Sequence, residues 1–540
     1  MLRRCWGLAI LAIFAIALSP VFGQSSDYNK EAVQALSNRI DAHLATVWKK
    51  AGVTPAPKAG DYVFYRRLNL DLAGRVPGLV PIHDFIDNEA ADKRWKEVDD
   101  LLKTPQHAQH FAHVWRSIML TNQTNQQTQF LMPQFEAWIR EQMQKNVALD
   151  TMVHQLLTSQ QGNMGFNPGM TQGSPQLFFT ANENKAENLA GASSRVFLGV
   201  KIECAQCHAH PFAKWTKEQF WEFAAFYSVQ PQAIRRPGDQ GVPKVQAIQP
   251  GREILIPGTE KVVKAKFLNG DEPKWDGLTS SRKTLADWIT AKDNPYFAKA
   301  MADHVWSYLM GVSLLEPIME PSDDSPVTHP DLLSDLAKAL IDNNFDQRFL
   351  IRAIVHSDAY QRSSGGTKLA DKEDYHLFVR MPIRALAPEQ IYDSLVNIVV
   401  REKGEREMLL RPVPPQQFFN PNGAQSPRTQ FMLKFPAQDR RHEPQTSILQ
   451  ALFMMNGGFM TKYTKLENND DLKDLAGQDG PHEKRIRSLY MIVLSRPPRQ
   501  NEIDRLVPYL EKGAANNNLG RALSDVYWAL LNSSEFLLNH

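Results

Sequence analysis

Cysteine is almost absent from this chain, at 3 residues in 540. So few thiols exclude the disulfide framework that staples small secreted domains. An excess of one charge is also missing. Lys and Arg number 61 against 59 Asp and Glu, which leaves no electrostatic case for nucleic acid as a main partner. Beyond the N-terminus no run is apolar enough to span a bilayer, so a multi-span membrane protein is excluded. There is no G-x-S-x-G, no H-E-x-x-H and no phosphate loop, so no motif assigns an enzyme class. Glycine (29) is scarcer than proline (34), and many connections are expected to be stiff turns. What remains is an ordinary globular composition, 43% hydrophobic and 22% charged, which is neither disordered nor collagenous. At about 150 residues per domain the length suggests two to four domains.

The first 23 residues read as a secretory signal peptide. Arg3 and Arg4 precede an apolar run from Trp6 to Leu18, and Ser19 to Gly23 lead to Gln24. That run, about 13 residues, falls short of the roughly 20 that a membrane span needs. Cleavage after Gly23 removes Cys5 and leaves Cys204 and Cys207 as the whole thiol inventory. The mature protein is therefore expected outside the cytoplasm, in the periplasm or at the cell surface, with no membrane span after cleavage.

The expected fold is mainly α, with two helical domains joined by a small β-rich connector. The domains are placed at 24–229 and 282–540 and the connector at 230–281. Helical periodicity covers 30–50, 62–72, 91–102, 132–143 and 149–157, and a further helix starts at Pro105. A helix over 185–200 leads to Cys204, and Thr216 with Gln219 forms a capping box for the next. Segments 160–173 and 420–440 read as loops. Within the connector, 245–248, 254–256 and 262–267 are short strand-like runs. After it, helices are expected from about Pro330 and over 386–400, 446–455, 484–494, 502–510 and 521–537, with Gly457 and Gly458 as a helix stop.

The chemistry is concentrated at Cys204-Ala205-Gln206-Cys207-His208, the C-x-x-C-H pattern of covalent c-type haem attachment. On one helical turn the two thiols face one side, where they can add to the two vinyl groups of a porphyrin. His208 then becomes the proximal iron ligand. Multiplying residue frequencies, a random chain of this composition shows the pattern roughly 5 times in 10,000, so chance is a weak explanation. Three other readings stay open. The pair can be a disulfide or a redox-active dithiol. Alternatively, Cys204, Cys207, His208 and His210 offer sulfur and nitrogen ligands of the kind zinc accepts, or the segment is a structural clip with no cofactor. No Met precedes Met301 and no His precedes His304 downstream of His210, so a distal haem ligand must come from elsewhere. His110 and His113, three apart on one helix, are the leading candidates, with His154, Met164 and Met170 behind them. Asp323 and Asp324, with Glu316, Glu320 and His329 nearby, offer acid–base chemistry or mere helix capping.

Several longer segments resemble a known family pair. They are Tyr65-Arg66-Arg67-Leu68-Asn69-Leu70-Asp71-Leu72-Ala73-Gly74-Arg75-Val76-Pro77, Arg195-Val196-Phe197-Leu198-Gly199-Val200 and Cys204 through Phe212. Leu285-Ala286-Asp287-Trp288-Ile289, Thr328-His329-Pro330-Asp331-Leu332-Leu333, Arg384-Ala385-Leu386 and Leu494-Ser495-Arg496-Pro497-Pro498 continue the likeness. In this order they resemble two domains of unknown function that recur together in secreted proteins of planctomycetes and related bacteria. Longer relatives often add a cytochrome c domain. Here the expected signal peptide runs almost directly into the first domain, so none is expected. The resemblance implies export and a link to haem, and it suggests as partner a redox protein or an exported sulfatase-like protein.

The reading is an exported redox or electron-transfer protein with one c-type haem on Cys204, Cys207 and His208. Its rival is a non-redox cell-envelope binding or scaffold protein, such as a part of a polysaccharide-processing system, with the C-x-x-C as a disulfide or metal clip.

Overall fold

The computed structural model describes residues 28–120, 126–159, 173–208, 215–229, 249–277, 279–315, 328–365, 372–410, 427–434, 452, 454–513 and 518–540. The expected signal peptide, the 160–172 stretch, His210, Met164, Met170, Glu316, Glu320, Asp323 and Asp324 lie outside the described residues, as do the expected strand at 245–248 and nearly all of the expected helix at 446–455.

The fold is mainly α. Helices α1 (Lys30–Ala51), α2 (Asp61–Leu72), α3 (Leu79–Asp87), α4 (Lys93–Lys103), α5 (Pro105–Met119), α6 (Gln126–Gln144) and α7 (Leu149–Thr158) come first. The short α8 (Leu177–Ala181) and α9 (Ala186–Ser193) follow, then α10 (Lys217–Ala224). Strands β1 (Glu253–Leu255) and β2 (Val262–Lys264) pair antiparallel, Ile254 opposite Val263. Next come α11 (Ser281–Ile289), α12 (Phe297–Met310), α13 (Pro330–Asp342) and α14 (Gln347–His356). A two-residue strand β3 (Arg384–Ala385) precedes α15 (Pro388–Val399) and α16 (Lys403–Leu410), and it pairs with β4 (Leu538–Asn539) near the C-terminus. Between α16 and β4 lie helices Pro427–Lys434, Gly458–Tyr463, Asp470–Gly477, His482–Leu494, Gln500–Glu511, Leu519–Leu531 and Ser534–Leu537.

Local chemistry accounts for many of these limits. In α1, Val33, Leu36, Ile40, Leu44 and Trp48 recur every three or four residues and are buried. Asn29 caps its start by accepting from the Ala32 amide, and Gly52 ends it at a φ of 66°, a conformation natural to glycine. Thr104 and Pro105 open α5, and the Thr216–Gln219 capping box opens α10. Elsewhere the structure departs from the periodicity. The 185–200 helix divides into α9 and one π turn, Ser194–Leu198, closed by Gly199 at a φ of 64°. Gly457 follows the helical residues 454–456, as the expected stop, and also caps the start of Gly458–Tyr463. Residues 427–434, read as loop, are helical. The 521–537 helix breaks at Asn532, where the Ser533 side chain caps a new start.

Apolar packing forms two cores. One runs from Val33 in α1 through β1, β2 and α14 to Met381. The other gathers α15 and the helices after it, from Leu386 to Phe536. Helix α2 belongs to both: Phe64, Tyr65, Leu68 and Leu72 enter the first core, while Leu70 enters the second. Every residue from Phe64 to Leu72 is buried, so α2 is a central helix and not the amphipathic one its sequence suggests.

Candidate functional site

The C-x-x-C-H segment forms a short 3-10 helix, Glu203–Gln206, with Cys207 just after it. In that geometry residues three apart eclipse one another, so Cys204 and Cys207 share a side. Both are exposed free thiols, and His208 beside them is exposed. The opposite side is closed, since Ile202 and Ala205 are fully buried. Helix α10 lies against the turn, and the Trp221 indole Nε1 donates to the Gln206 carbonyl at 3.1 Å. On the α9 side, Arg195 Nε donates to Glu203 Oε1 at 3.3 Å. Gly191 leaves room for this carboxylate, because a Cβ there would lie 2.6 Å from Glu203 Cγ. Burial pushes the Glu203 carboxyl up, against the pull of Arg195 and Lys201.

Two thiols on one outer side with an adjacent imidazole are the residue set that two thioether bonds and a proximal iron ligand require. A group held there would lie on the outer face of the turn, because the inner face is filled. Among the described residues no group of three or more His, Cys, Asp or Glu side chains is arranged to hold a metal ion. His210, part of the alternative zinc set, is outside them.

The expected distal ligands sit inside the helical packing. His110 is buried, and its Nε2 is hydrogen-bonded to the Tyr308 hydroxyl of α12. Its ring fills the space at Gly74, where a Cβ would fall 2.3 Å from Nδ1. His113 is also buried, with Nε2 2.7 Å from Gln109 Nε2 and 3.5 Å from Glu136 Oε2. Glu136 and Glu389 both bind the Arg116 guanidinium. Burial alone would raise Glu389, but Arg116 and His113 hold it at about 2. His154 pairs with Asp287 at 2.8 Å. His304 bonds the Val196 carbonyl at 2.8 Å, and burial lowers it to about 4. His329 precedes α13, with Nδ1 3.3 Å from His43 and Nε2 donating to the His376 carbonyl at 2.7 Å.

Sequence reasoning missed a second polar centre, at α2. Asp71 is buried and accepts both Oδ contacts of Arg384 Nη2, at 3.1 and 2.8 Å. Tyr360 donates to Asp71 Oδ2 at 2.9 Å, and Asn539 donates to Oδ1 at 2.9 Å. Arg66 reaches the carbonyls of Val493 and Phe536, each at 3.2 Å. Gln390 of α15 donates to the Leu70 carbonyl at 2.7 Å. The sequence signal was the set Arg66, Arg67 and Asp71 among the apolar residues from Phe64 to Leu72 of α2.

Fold and site together define a mainly helical protein with one exposed, cysteine-based turn. Residues 39–231 match the family described as PSCyt2, protein of unknown function (DUF1549). Residues 281–441 match PSD1, protein of unknown function (DUF1553). The chain thus belongs to the proteins that pair these two unknown-function domains. No curated protein and no solved structure matches it.

Proposed function

We propose that this is an exported redox protein that carries one c-type haem, bound through Cys204 and Cys207 with His208 as proximal ligand. The observation that supports this reading is the joint exposure of these three residues on and just after one 3-10 turn whose Ile202 and Ala205 are fully buried. A bound haem supplies one-electron chemistry, and exposure is one of the terms that set its potential. The outer face of the turn is then where a redox partner protein, or the exported sulfatase-like partner implied by the resemblance, would approach. His110 and His113, the leading candidates for a distal ligand, are buried and already bonded, so this reading assigns no distal ligand.

The test is the full chain produced with its signal peptide alongside the haem-attachment machinery. The expected result is a mass increase of one haem, a Soret band, and loss of both in Cys204→Ser/Cys207→Ser. Both thiols found free, or bonded to each other, in such a preparation overturns the haem reading and favours the disulfide or metal clip in a binding or scaffold protein.

A further inference from the structure

The peptide between Gln206 and Cys207 decides how the second thiol stands relative to the first. Its carbonyl lies at the end of a short 3-10 helix, where backbone acceptors have no partner within the helix. Here the partner is the indole of Trp221, at 3.1 Å, from a side chain that is 3% exposed. That indole is itself held from both ends of α10. The N-terminus is fixed by reciprocal capping, Thr216 N to Gln219 Oε1 at 2.9 Å and Gln219 N to Thr216 Oγ1 at 3.2 Å. The far side is braced by the β1–β2 segment. The Lys266 amide donates to the Glu222 carbonyl at 3.2 Å, and Lys266 Nζ pairs with Glu222 Oε1 at 3.0 Å. Beyond them Phe226, Phe267 and Trp288 stack at 5.1 and 4.8 Å, which ties the segment to α11.

We infer that Trp221 is the positioning residue of the thiol pair and that the β1–β2 segment is the brace behind it, a proposal whose spectroscopic arm rests on the haem reading. The indole N–H fixes the 206–207 peptide plane, and this keeps Cys207 in line with Cys204 while both vinyl additions take place. Each addition joins one thiol S–H across one vinyl C=C, so no external oxidant or reductant enters.

Trp221→Phe keeps a six-membered aromatic ring and removes the pyrrole half of the indole with its N–H, so a packing control on the same helix is needed beside it. In protein matured with haem, the wild type is expected to hold it by two thioether bonds. Trp221→Phe is expected to yield a fraction attached through Cys204 alone. That fraction shows a red-shifted pyridine haemochrome band, from the vinyl left unsaturated, and one alkylatable thiol at Cys207. Phe220→Leu alters packing on the same helix and should retain double attachment. Equal loss in that variant, or full double attachment in Trp221→Phe, overturns the assignment. The second arm needs no haem. The Ala205 amide, bonded to the Ile202 carbonyl at 2.8 Å, should exchange its hydrogen faster in Trp221→Phe, by about tenfold for one lost buried hydrogen bond. Thr216→Ala, which loosens α10 without touching its core face, should change it in the same direction by less. Unchanged exchange in both variants overturns the clamp. A haem-free wild type with faster exchange in the variants sinks the haem reading alone.

Discussion

The turn at 203–208 and helix α2 both carry residues on which the family resemblance rests, and their side chains go opposite ways. The turn directs its reactive groups outward, over buried Ile202 and Ala205, and an indole hydrogen bond and an Arg–Glu pair help to hold it. Helix α2 directs Arg66, Arg67 and Asp71 inward, where Arg384 of β3, Tyr360, the Val493 carbonyl and the C-terminal residues meet them. Burying a charge is costly unless it is paired and hydrogen-bonded. The α2 charges therefore act as fasteners between the two cores. A recurring sequence segment can thus mark either chemistry or assembly, and the direction of its side chains separates the two.

The largest effect expected from this contrast is at Arg384. Replacing it with Ala leaves the Asp71 carboxylate buried without its cationic partner, and removal of one member of such a pair costs about 3–5 kcal/mol. Urea unfolding should show the midpoint fall accordingly. A loss no greater than that of an ordinary surface substitution would mean that α2 is not a fastener.

A smaller effect, graded with pH, comes from histidines of the packed halves. Burial lowers His107 and His356 to about 3, and His304 and His540 to about 4. In the unfolded chain such groups titrate near about 6.5. Between these values the unfolded state binds more protons, so stability is complete above about 6.5 and falls as pH drops toward about 4. Each histidine contributes about 1.4 kcal/mol per pH unit over that window. Comparing urea midpoints at pH 7 and pH 5 measures their sum less the opposing contribution of Glu97, whose carboxyl is pushed up to about 7 by burial, so Glu97→Gln should widen the difference. His107→Gln should shrink the difference by about 2 kcal/mol, and a midpoint independent of pH would contradict the buried neutral state.

The same contrast explains what could be read from the sequence. Helix starts with local chemistry were legible: Thr104–Pro105, the Thr216–Gln219 box, and the three-to-four spacing in α1. So was the C-x-x-C-H turn, because its chemistry lies within five neighbouring residues. The periodicity over 62–72 gave a helix but not its surroundings. What surrounds α2 depends on partners such as Arg384, 313 positions from Asp71, which no local pattern reports. The Trp221 contact was hidden for the same reason at shorter range, with 15 positions separating it from Gln206. Gly457 marked a helix end as expected, but the pair did not tell that a new helix starts at once from Gly458.

The smallest expected change is the one that most sharpens the comparison. Cys204 and Cys207 are exposed, free and outside both cores, so replacing both with Ser removes no buried contact. In haem-free protein the unfolding free energy should stay within about 0.5 kcal/mol of wild type, the range for surface substitutions. A structural disulfide predicts otherwise, although a loop this short gains little from cross-linking. A zinc clip predicts more, because metal binding free energy becomes folding free energy. The decisive quantity is the difference between the stability change in haem-free protein and the change in visible absorbance of matured protein. A large spectral loss with an unchanged unfolding midpoint assigns the turn to chemistry and α2 to assembly. A shared loss of stability in both preparations would place the two segments in the same structural role.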